Sequence, residues 1–368
     1  MSRTVRRSVP TVLMIALLRS SAAADPTPSD STPHDPDGAG RAPASENPWL
    51  DQSQQPVLAV SSSAPKRDHK LAASLTLAGL YAGFIGWTYL AWYRRPSHEF
   101  RWADPKKDGS WRIWKEEGWF GKNGYAGGAD KMGHAWATLG LARAGTEILN
   151  QWGGYDRLTS AIVGTALSEV LFFGVELRDG TSYSFSKGDF TFNTIGAGLA
   201  FAQSMWPAID DAVDFRVEYL PSKAYRDRFS KNADLDVAED YSGQTYHLAF
   251  HLGSIDRLAS WKYGSWSRFI DLTAGFETRG YKPDPLVKPD TMLCMEGVKE
   301  RCDFDKERNL FIGLTLNAQG LFDWALHGRS KAGRKITHGL FEMFSIPYTT
   351  LRVGEHTVVP TAEIPDEQ

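Results

Sequence analysis

Six polar residues in three apolar stretches have a spacing that could support chemistry. Asp130 and His134 are one helical turn apart, so on a helix they share a face. Glu169 and Glu176 are two turns apart on one face of a second stretch, and Asp189 and Asn193 stand one turn apart at the start of a third. One imidazole with several carboxylates suits a divalent metal that keeps positions for water; Asp130, His134 and Glu169 are the candidate ligands, and a Glu the candidate base on that water. Each residue also has a structural reading. Asp130 and Asp189 fall in first helical turns, where a carboxylate caps free amides and complements the helix dipole. His134 alone reads as a core histidine, and Glu176 as a solvated helix-end residue. Glu169, inside an apolar stretch, needs a partner or an altered pKa if it is ionised. Lys131, Arg143 and Arg178 could supply that partner and make the set an ion network.

The elements that must position these residues follow from the surrounding pattern. Residues 129–149 are amphipathic, 158–177 are apolar apart from the two glutamates, and 189–206 carry no charge after Asp189 and stop at Pro207. Gly153 and Gly154 separate the first two stretches, and Arg178, Asp179 and Gly180 close the second. Short connections make neighbouring helices antiparallel, so a start, an end and another start meet at one end of a bundle. Upstream, residues 71–93 form an uncharged run of spanning length, flanked by Lys66, Arg67, Lys70, Arg94 and Arg95. Gly79, Gly83 and Gly86 suit close helix packing there, while Trp87, Tyr89, Trp92 and Tyr93 sit where an aromatic belt would. If all four helices cross a bilayer, both flanking regions are periplasmic and the basic loop 94–122 is cytoplasmic; the charges within 129–149 weigh against that scheme. The loop interleaves Trp102, Trp111, Trp114, Trp119, Phe120 and Tyr125 with Arg and Lys, which fits an interfacial membrane contact or a packed surface loop.

From Gln244 the period changes to two. Tyr246, Leu248, Phe250 and Leu252 alternate with smaller or polar residues, as do Ile270, Leu272, Ala274 and Phe276, and 309–318 and 345–353 read the same way. The expected fold class is α+β: a membrane-associated bundle of about four helices over 70–240, then a small antiparallel sheet over 241–356. So few strands cannot close an outer-membrane barrel, which needs about eight.

The chain ends and composition set the compartment. Arg3, Arg6 and Arg7, an apolar run over 9–18 and Ala22, Ala23 and Ala24 make a three-part secretory signal over 1–24 with an A-x-A cleavage site. Arg6 and Arg7 have no further twin-arginine context, and no Cys follows the cleavage site as a lipidation point. Residues 25–69 read as a Pro, Ser and Asp-rich disordered tether, and 357–368 as a disordered tail. Lys and Arg total 41 against 44 Asp and Glu, a net −3 that removes the electrostatic reason for a nucleic-acid partner. The two cysteines, Cys294 and Cys302, suit a small loop-closing disulfide in an oxidising compartment, with a pair of free thiols as the alternative. No HExxH, GxSxG, Walker loop or GxGxxG occurs, and Gly196 and Gly198 fit close helix packing better than phosphate binding.

Asp130-Lys131-x-x-His134 opening a helix, Asp189 with Asn193 and Gly196 opening a later one, and Gln244-Thr245-Tyr246 opening the strands resemble the YfiM-like family of predicted periplasmic lipoproteins over residues 125–276. A more distant similarity is to VanZ-like membrane proteins, which also place an acid and a His at one helix start, a Glu in the next helix and Asp/Asn at a third. Neither resemblance implies an established reaction; both imply an envelope location. The expectation is therefore an exported envelope protein, membrane-associated, with a structural or interaction role and a membrane lipid or another envelope protein as partner. The alternative is a membrane-bound, metal-dependent hydrolase of an envelope lipid or glycan.

Overall fold

The computed structural model describes residues 69–94, 96–103, 118–121, 126–232, 236–260, 264–281, 306–327 and 329–357. The export signal, the tether up to residue 68, the tail after residue 357 and the Cys294–Cys302 pair lie outside the described residues, while Thr357, expected to open the tail, ends the last strand.

Four long helices come first: α1 (Lys70–Ala91), α2 (Ala129–Glu147), α3 (Arg157–Ser182) and α4 (Lys187–Met205). α2, α3 and α4 alternate in direction, as their short connections require. His134 near the start of α2 meets Glu176 near the end of α3, while Arg143 near the end of α2 meets Ser204 at the end of α4. Close approach explains the helix-facing glycines. A Cβ on Gly196 would lie 2.1 Å from the Ala135 carbonyl oxygen, so α4 seats directly on the α2 backbone. Gly198 meets nothing within 4 Å among the described residues, so the close packing expected of it is not made there.

α1 touches the bundle along Ala73, Leu77, Tyr81, Phe84 and Thr88, an inward stripe at helical spacing. Its outer face leaves Leu71, Leu75, Ile85, Tyr89 and Leu90 exposed. Gly79, Gly83 and Gly86 also meet nothing within 4 Å, so the close packing expected of them is not made among the described residues. α3 runs past the expected stop at Arg178, Asp179 and Gly180. The Tyr93 hydroxyl donates to Asp179 at 2.9 Å, and the Phe100 ring covers Gly180, so that last turn is held from outside.

The second layer is one antiparallel sheet in simple chain order: β1 (Val213–Tyr219), β2 (Gln244–His251), β3 (Ile270–Arg279), β4 (Glu307–Leu316) and β5 (Thr350–Thr357). β1 adds a strand to those expected. Helices α5 (Lys223–Asn232), α6 (Ala318–Ala325) and α7 (Lys331–Met343) break up the rest, the last two falling inside the stretch expected to be all β.

The polarity of the sheet is inverted over much of its area. One row runs Phe250, Leu272, Leu314 and Leu351 across four strands, and all four are exposed. The opposite face buries Asp214, Arg216, His251, Asp271, Thr273, Thr315 and Glu277. Burying so many polar groups is tolerable only when they satisfy one another. Arg216 reaches Asp271 at 2.7 Å and also pairs with Asp214, while His251 bridges the same two aspartates at 2.8 and 3.1 Å. Further along the apolar face, Val217 and Tyr246 pack with Ala126, Ala129, Tyr241 and Tyr281 against Met132 and Trp136 of α2. Trp136 donates to the Met343 carbonyl at 2.8 Å, and Arg143 reaches Glu342 and Asp210 at 2.6 Å each, so α7 clamps the far end of α2.

Candidate functional site

α2 starts where Gly127 and Gly128 take φ of 61° and 102°, values that favour glycine. A Cβ on Gly128 would stand 2.1 Å from the Phe120 ring, and one on Gly127 would strike Tyr281. These two rings therefore close over the helix start and fix where Asp130 and His134 emerge. Phe120, which is buried, and Trp119, which is half-buried, both pack edge-on against Phe192. Trp102 is exposed, while Trp111, Trp114 and Tyr125 lie outside the described residues.

At this end of the bundle Asp130, His134, Glu176, Asp189 and Asn193 come together from α2, α3 and α4. His134 is the hub. Its Nε2 lies 3.9 Å from Asp130, while its Nδ1 lies 3.1 Å from the Asn193 side-chain oxygen and 3.4 Å from Glu176 Oε1. Lys131 donates to Asp189 at 3.0 Å, and the Tyr241 hydroxyl donates to Asp130 at 3.0 Å. Thr138 donates to Asn193 at 2.9 Å, so the amide is oriented from the α2 side. Asp130 and Asp189 do not serve as helix caps: α2 starts from Gly128 without a side-chain cap, and in α4 the Ser186 hydroxyl accepts the Asp189 N–H.

Burial and mutual repulsion govern the charges. Burial pushes the Asp130 carboxyl above the usual range, and Asp189 adds to the effect. Burial also opposes charge on Asp189, but Lys131 and His134 outweigh it and hold that carboxyl low. For His134 burial favours the neutral ring, yet Asp189, Glu176 and Asp130 overcome it and raise the pKa to about 9.

Glu169 is not in this cluster. It sits seven positions before Glu176, about 10 Å along the helix axis, and accepts instead from the Thr194 hydroxyl at 2.8 Å. Glu176, by contrast, is 1% exposed. Asp179, which shares its helix face three positions on and also acts on His134, joins the cluster without having been singled out in the sequence. The i, i+3 spacing from Glu176 was the available signal. Of the three cations considered, Lys131 serves the cluster. Arg143 binds at the opposite end of α2, and Arg178 lies over the Tyr93 ring at 5.5 Å. Among the described residues, Asp130, His134 and Asp189 each offer one ligand atom, and these atoms lie within 4.8 Å of one another.

No curated protein and no solved structure matches the chain. A family model does match residues 116–204, about a quarter of the chain and the part that holds α2, α3 and α4 with the whole polar cluster. Its description as periplasmic agrees with the export signal. Residues 116–204 are thus similar to the family described as predicted periplasmic lipoprotein (DUF2279), which fits an exported, envelope-associated protein.

Proposed function

We propose that this is a membrane-anchored envelope protein with a structural or interaction role, held to lipid through α1 and the adjoining outer face of α3. The observation that carries the reading is the outward surface of these helices. Both are long and apolar enough to cross a bilayer, yet only 17% of the apolar window of α1 and 33% of that of α3 are covered by the rest of the chain. A core helix of a soluble protein would be covered instead. Leu71 and Leu75 are 75% and 64% exposed, and Ile162, Leu167, Val170 and Phe173 of α3 continue the surface. Contiguous apolar surface of this kind marks a membrane or partner contact. Lys70 and Arg94 bracket α1 at the two ends, where charged groups reach headgroups.

Alkaline carbonate washing of isolated membranes tests the reading. The protein should stay with the lipid pellet, whereas the Leu71→Asp/Leu75→Asp/Ile85→Asp variant should appear in the supernatant with its near-UV circular dichroism intact. Quantitative release of the unmodified protein by carbonate would refute the anchor.

A further inference from the structure

We infer that Asp130, His134 and Asp189 form a binding site for a divalent cation, with Glu176 and Asn193 orienting the imidazole from behind. The site stands apart from the membrane reading, since it depends on the polar end of the bundle and not on the outer faces of α1 and α3.

Geometry is the first support. The three ligand atoms lie within 4.8 Å of one another, whereas donors around a tetrahedral ion with bonds of about 2.0–2.2 Å are roughly 3.4 Å apart. Closing the set takes side-chain shifts of about 1 Å. Asp189 has a second carboxylate oxygen besides the one that accepts from Lys131 at 3.0 Å. The helices that carry the ligands are fixed against each other, because Gly196 sets α4 on the Ala135 carbonyl only one residue from His134.

The second support is the orientation of the ring. Glu176 Oε1 has no hydrogen-bond partner among the described residues, although the residue is 1% exposed, and it points at His134 Nδ1 from 3.4 Å. A proton on Nδ1 facing Glu176 and the Asn193 oxygen leaves the Nε2 lone pair directed to the Asp130 side. A carboxylate behind the ring with a metal in front is the usual arrangement for a ligating histidine.

Side-chain exposures of 22% for Asp130 and 16% for His134 leave a path for an ion to enter. One imidazole with two carboxylates suits Zn²⁺ better than Mg²⁺, which prefers an all-oxygen octahedron.

The test uses the full chain in detergent, stripped with chelator and carrying Cys294→Ser and Cys302→Ser so that thiolates cannot take the metal. Zn²⁺ alone should be retained at one ion per chain by elemental analysis after gel filtration. Asp130→Asn and His134→Gln should abolish that retention, Glu176→Gln should weaken Zn²⁺ binding about 10–100-fold, and Glu169→Gln should leave it unchanged. Because these variants could fail to fold, pulsed EPR of the unmodified site loaded with Cu²⁺ is the independent measurement, and it should show coupling to an imidazole nitrogen. Substoichiometric Zn²⁺, undiminished binding in folded Asp130→Asn and His134→Gln, or no nitrogen coupling would each overturn the assignment.

Discussion

Replacing Asp271 by Asn tests whether the inverted sheet is held by its buried ions. Asp271 is 0% exposed and holds Arg216 at 2.7 Å, His251 at 2.8 Å and Asn317 at 2.8 Å. Asn keeps the shape and removes the charge, which leaves two buried cations facing Asp214 alone. Removing one partner of a buried pair costs about 3–5 kcal/mol, because the other charge stays desolvated. At about 2–4 °C per kcal/mol, the melting temperature read from tryptophan fluorescence should fall by at least about 6 °C. The pH dependence separates this from a packing defect. Burial opposes charge on His251, but Asp214 and Asp271 raise its pKa from 6.5 to about 9. A folded pKa above the unfolded one gives stability that is complete below about pH 6.5 and is lost as pH rises through about 9, on the order of 3 kcal/mol. In Asp271→Asn that contribution should largely vanish, so the variant should be much less stable than the original near pH 6 and approach it near pH 9. An equal deficit at both pH values, or one below about 1 kcal/mol, would refute the reasoning.

Two further outcomes follow from helix packing. Gly196→Ala should destabilise the bundle by about 2 kcal/mol or more through overpacking against Ala135, whereas Gly198→Ala, in open space, should raise stability by up to about 1 kcal/mol; chemical denaturation of both variants measures the contrast. Arg143→Gln should cost about 3 kcal/mol or more, since Glu342 and Asp210 would lose their shared partner, and the loss should be halved or better in Arg143→Gln/Glu342→Gln, checked by a double-mutant cycle.

The convergence of helix ends was legible because it depends only on turn spacing and short connections. Asp130, His134, Asp189 and Asn193 needed no further information. The two glutamates were harder to rank. Glu169 looked exposed to penalty inside its apolar stretch, but the Thr194 hydroxyl of the neighbouring helix relieves it, and no single-helix pattern contains that partner. Glu176 read as a solvated end residue because the helix was expected to stop near it. Tyr93 and Phe100, more than seventy positions upstream, carry the helix on to Ser182 and enclose that carboxylate. In the sheet, alternation reveals the period but not which face turns inward. Val213–Tyr219 does alternate strictly, so β1 could have been found. The polarity could not, because it follows from pairing Arg216 with aspartates on two different strands.

The clamp of α7 on α2 bears on when the fold can form. Trp136 and Arg143 find their partners 207 and 199 residues later in the chain. During synthesis and export, α2, α3 and α4 therefore emerge long before Met343 and Glu342 exist to receive them. Contacts of such separation carry a high loop-closure cost and form late. The segment that the family model matches is accordingly not autonomous in time: Arg143 can pair early with Asp210 and Ser204, but the central helix waits for the C-terminal third of the chain to supply Glu342 and Met343.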